Sequence, residues 1–76
     1  MAATTQQYEG IILGRKQDSY LVRLVDLVRD GNPEVKSLMS REAFPQEHRD
    51  LQAGALFFWT IDQGQSNVLV QQRASF

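Results

Sequence analysis

The only histidine, His48, stands in the run Glu47-His48-Arg49-Asp50. An imidazole beside a carboxylate is the pairing that general base catalysis uses. Here no Ser or Thr occupies a nucleophile elbow, and no third side chain can be named to orient the ring. His48 is therefore read as a solvated surface residue. One histidine and no cysteine leave neither an imidazole pair nor a thiolate set for a zinc ion. The carboxylates Asp18, Asp26, Asp30, Glu34, Glu42, Glu47, Asp50 and Asp62 fall mostly in polar turns and lack the spacing of a calcium loop. Gly10 and Gly14 bracket Ile-Ile-Leu, but no Lys-Ser/Thr pair follows to hold a phosphate. They read instead as bends in a curved strand. The chain is expected not to be an enzyme, to hold no metal and to need no cofactor.

The aromatic run Phe57-Phe58-Trp59 offers a different chemistry. Adjacent aromatics can stack single-stranded bases, with Arg23, Lys36 and Arg73 reaching phosphates. The competing demand is the core, since a thin domain needs its largest apolar side chains inside. Alternation along a strand places Phe57 and Trp59 together towards the core and leaves Phe58 on the other side. Charge also weighs against nucleic acid. Eight Lys/Arg against nine Asp/Glu lack the basic excess that phosphate neutralisation needs.

The elements that must carry these residues are short. Residues 1–7 are small and polar and are expected to form a flexible end, with residues 8–76 as a single small β domain. Tyr8–Gly14 reads as a first strand, Tyr20–Val28 as a second, Glu34–Met39 as a third, Ala55–Ile61 as a fourth and Val68–Arg73 as a fifth. Asp30-Gly31 and Pro33 close the loop after the second strand. Between strands three and four, Pro45 and Gly54 bracket a short helical stretch, partly 3₁₀, expected to lie over the core with Phe44 and Leu51 on its inner side. Ser40 is positioned to cap an earlier turn. The fold class is a small five-stranded antiparallel barrel or strongly bent sheet, SH3-like or OB-like, with one short helix between strands three and four. Without a leader pattern, a spanning segment or cysteine, a soluble protein of the cytoplasm, without membrane attachment, is expected.

The most informative pattern is an anomaly. A half-buried antiparallel strand alternates apolar and polar residues, and strands two and four do not. In strand two, Tyr20, Val22 and Leu24 share one face while Leu21, Val25 and Leu27 occupy the other with Arg23. In strand four, Leu56 and Phe58 lie opposite Phe57 and Trp59. Asp26, inside this apolar strand, is expected at a rim or outward, or else inward against Arg23 or Arg73. Three things can explain a second apolar face: a bulge with the helix and termini covering it, a second copy of the chain, or a different protein. A chain of 76 residues has little structure to spare for two coverings, and large apolar patches mark contact sites. The expectation is a non-catalytic protein–protein interaction module, an accessory or regulatory subunit, whose partner is another protein or a second copy of itself. Tyr20, Arg23, Val25, Phe58 and Arg73 are the candidate partner-binding residues. The alternative is a single-stranded nucleic-acid-binding small barrel.

Overall fold

A computed structural model describes residues 5–71. Five antiparallel strands form one sheet: β1 (Thr5–Arg15), β2 (Ser19–Asp26), β3 (Glu34–Ser40), β4 (Leu56–Asp62) and β5 (Gln65–Gln71). Their spatial order is β3-β2-β1-β4-β5, so the longest strand lies at the centre and β3 and β5 form the edges. The sheet does not close into a barrel but bends. Met39 on one edge strand and Val68 on the other belong to the same buried cluster.

That cluster lies on one face only. Ile12, Tyr20, Val22, Leu24, Met39, Phe44, Phe57 and Val68 are its buried members. The strand residues among them follow the period of two seen in the sequence, with Tyr20, Val22 and Leu24 beside Phe57. Trp59 is only half-buried: it packs against the cluster and stacks on Tyr8 with ring centroids 5.3 Å apart. Its position one residue pair nearer the open end of the sheet, opposite Tyr8 rather than Gly10, is why burial stops at Phe57. Gly10 permits a close approach in the core. A Cβ added there would lie 2.2 Å from Cζ of Phe57, so the ring rests directly on β1 backbone.

A strap of residues 41–55 covers this face. It holds two 3₁₀ turns, Arg41–Ala43 and Gln46–His48, in place of the continuous helix suggested by Pro45 and Gly54. Ser40 caps the first turn, its hydroxyl accepting from the Glu42 amide at 3.2 Å. Pro45 precedes the second turn rather than opening it. Phe44 stands edge-on to both Tyr20 and Phe57, each at 5.0 Å. Arg41 fixes the strap's shape: its guanidinium donates to the Arg49 carbonyl oxygen from Nε at 2.8 Å and also from Nη2, and to Gln17 O at 3.3 Å. At the far end Gly54 N donates to Ile12 O and Ile12 N to Ala55 O.

Three boundaries differ from the apolar pattern. β1 begins at Thr5, because Thr5, Gln6 and Gln7 pair with Asp62, Ile61 and Thr60 of β4. β5 begins at Gln65, because Gln63 (φ 53) and Gly64 (φ 79) make a two-residue turn that carries pairing to its very edge. In both cases backbone pairing decides, and polar side chains do not oppose it. β2 ends at Asp26, whose carboxylate accepts from the amides of Val28 and Arg29 at 3.0 and 3.1 Å. This rim residue caps a turn and shortens the strand expected to reach Val28.

Candidate interaction surface

A β-bulge is present, but it lies in β1 between Ile12 and Gly14. β2 and β4 run without interruption against their neighbours. Their mixed polarity is therefore real: both faces of the central sheet carry apolar side chains.

Directly opposed residues share a face, so the registers lay out the second face row by row. One row runs Lys36, Arg23, Ile11, Leu56, Gln71 from β3 to β5; the next runs Glu34, Val25, Glu9, Phe58, Leu69. A third pairs Leu38 with Leu21. Ile11, Leu21, Val25, Leu56 and Phe58 are half-buried, and Leu38 and Leu69 are 58% and 66% exposed. The strap lies on the opposite side, and among the described residues no segment covers these rows. A shallow depression of about 230 Å³ opens at their centre, lined by Glu9, Gly10, Ile11, Arg23, Val25, Glu34 and Leu56.

Charge on this face is ordered. Arg23 and Lys36 stand directly opposite one another in one row, while Glu34 and Glu9 flank Val25 in the next. Arg23 Nη1 lies 3.5 Å from Glu34 Oε2, with both side chains about half exposed. A pair in that setting contributes at most about 1 kcal/mol.

The structure brings Arg23, Val25 and Phe58 together on one continuous surface. It does not place Tyr20 there. Tyr20 is 0% exposed, its ring against Phe44 and its hydroxyl accepting from the Leu51 amide at 2.9 Å. Its parity with Val22 and Leu24 sends it inward, and the phenol oxygen finds a partner in the strap instead of solvent. Tyr20 is a core residue. Arg73 lies outside the described residues. Glu9, Ile11, Glu34 and Leu69 belong to the surface and escaped the sequence reading. Leu69 was accessible from its parity opposite Val68 and Val70, whereas Glu9 and Ile11 needed the β1 register.

The chain matches no known family model, no curated protein and no solved structure.

Outside this surface the chemistry is sparse. His48 borders a shallow groove with Leu51, Gly54, Ala55, Leu56, Val70 and Gln71, none of them acidic. Among the described residues no group of three His, Cys, Asp or Glu side chains is placed to hold a metal ion. No helix is long and apolar enough to cross a membrane, among the same residues.

Proposed function

We propose that this chain is a non-catalytic protein–protein interaction module, an accessory or regulatory subunit, that binds through the second face of its sheet. The observation that carries the reading is the contrast between the two faces. One is sealed by Phe44 and Leu51 of the strap; the other presents Leu21, Val25, Leu56, Phe58 and Leu69 with charged residues between them. An apolar surface set among polar groups is what a protein partner can desolvate. The lack of cysteine suits a reducing compartment such as the cytoplasm.

The test is Phe58→Glu. The variant is expected to fold with a melt near that of the parent and to lose association, read by sedimentation and by capture of binding proteins from the native host. If Phe58→Glu unfolds a parent that is itself monomeric and captures nothing, Phe58 is core and the reading fails.

A second reading has one observation in its favour. Arg23, Lys36 and Phe58 share one face of the bent five-stranded sheet, and the reading of that sheet as an OB-like small barrel, whose strands two and three bind oligonucleotides, rests on this grouping. Glu9 and Glu34 interleave with those cations and would repel a phosphate backbone. Titration with a labelled single-stranded oligonucleotide separates the two: binding tighter than about 1 μM at physiological salt would reverse their order.

A further inference from the structure

Resting on the reading of the second face as a contact surface, we infer that its occupant is a second copy of the same chain, related by a two-fold axis perpendicular to the strands. The argument is the charge order. Arg23 and Lys36 are directly opposed on neighbouring strands, an arrangement that is repulsive on an isolated sheet and that the exposed Arg23–Glu34 contact at 3.5 Å offsets only in part. The adjacent row carries Glu9 and Glu34 on either side of Val25. A surface with one basic row beside one acidic row complements its own image. An isologous contact needs that property.

The axis follows from the register. A two-fold perpendicular to the strands, passing between the two rows, exchanges them. Glu34 then faces Lys36 of the second copy, twice. Arg23 of the second copy sits over Val25, between Glu9 and Glu34. At the β4–β5 end Phe58 meets Leu56, joining apolar to apolar. A two-fold parallel to the strands and centred on β1 leaves each row on itself and sets Glu9 against Glu9. The first arrangement joins Lys36 to Glu34 and Leu56 to Phe58, and sets Ile11 over Glu9 and Gln71 over Leu69; it brings no like charges together.

The size of the face is adequate. Five strands about 4.8 Å apart and rows about 6.7 Å apart give a patch of roughly 20 by 25 Å. Two such patches bury about 1,000 Å², the lower bound for a specific interface. Sheets packed face to face at about 10 Å leave room for interdigitated side chains.

The test uses complementary charge reversal in the full chain. One variant carries Glu9→Lys and Glu34→Lys; the other carries Arg23→Glu and Lys36→Glu. All four positions are exposed, so folding should survive, checked by the thermal melt. In sedimentation the parent is expected to dimerise, each variant alone to associate at least tenfold more weakly, and an equimolar mixture to recover a heterodimer. Should a double variant not fold, Glu34→Lys and Lys36→Glu on β3 form a smaller complementary pair with the same expected behaviour. A parent that stays monomeric overturns the inference, as does a mixture that stays monomeric or a variant that dimerises as the parent does. A monomeric parent whose folded Phe58→Glu variant loses a heterologous partner removes the second copy and leaves the interaction module standing. A monomeric parent unfolded by Phe58→Glu removes both.

Discussion

Replacing Gly10 by Ala adds one methyl group where the Phe57 ring lies against the β1 backbone. Its Cβ would lie 2.2 Å from Cζ and 2.6 Å from both Cε atoms of Phe57. Ordinary carbon contacts begin near 3.5 Å, so the ring must retreat by about 1 Å or more. It has nowhere to go: Phe57 is fully buried, Phe44 stands edge-on behind it, and Tyr20 backs Phe44. Overpacking of this kind costs about 1–3 kcal/mol, and contact with three ring atoms argues for the upper part of that range. Against it stands the gain of about 0.5–1 kcal/mol from removing glycine's freedom in the unfolded chain. The net expectation is a loss of about 2 kcal/mol. A domain of 76 residues holds about 4–11 kcal/mol in total, so the variant should fold but melt about 8–16 °C lower. Urea denaturation and a thermal melt read the effect. Adding Phe57→Leu supplies the missing room, and the two changes should couple favourably by about 1–2 kcal/mol. A Gly10→Ala variant as stable as the parent, or strict additivity in the pair, would refute the close packing of ring on backbone.

Two further variants test the rest of the core. Trp59→Ala should cost about 2–3 kcal/mol, less than the roughly 3–5 kcal/mol of a fully enclosed aromatic. The indole is half-buried and bonded through Nε1 to Ser66 Oγ at 2.6 Å; complete unfolding at room temperature, or no shift in the melt, contradicts this placement. Arg41→Met keeps the side-chain stem but removes the donors to Arg49 O and Gln17 O. It should cost about 1.5–3 kcal/mol and speed hydrogen exchange at the Leu51 amide, and unchanged exchange there would show that Arg41 does not hold the strap.

Much of the core was legible in the residues themselves. The parity of Tyr20, Val22 and Leu24, and of Phe57 against Phe58, follows from a period of two, and Phe44 and Leu51 were the only large apolar side chains available as a cover. The polar ends of β1 and β5 were not legible, because Thr5–Gln7 and Gln65–Asn67 are held by pairing with β4, which leaves no apolar trace. Arg41 was equally hidden, since its partners are carbonyl oxygens with no side-chain signature. For the surface, Arg23, Val25 and Phe58 could be grouped by parity alone. The alternation of basic and acidic rows could not, because it depends on which residue of β1 stands opposite Val25. Tyr20 shows the reverse failure: its parity with Val22 and Leu24 points inward, yet it stood among the candidate contact residues, and the structure buries it.

The strap determines how this protein fails. Its two turns of three residues each have little internal cooperativity, and it is held at a few points: Phe44 in the core, the bonds of Arg41, the Leu51–Tyr20 bond, the exposed Arg15–Asp50 pair and the Gly54–Ile12 junction. Segments with such sparse anchoring open well below the free energy of global unfolding. Once lifted, the strap leaves a sheet with no inside, both faces apolar and two open edges. That transient form is sticky in every direction, so the working lifetime of the domain at high concentration is governed by how often one short segment lets go, and anything that keeps the opposite face occupied lowers the hazard.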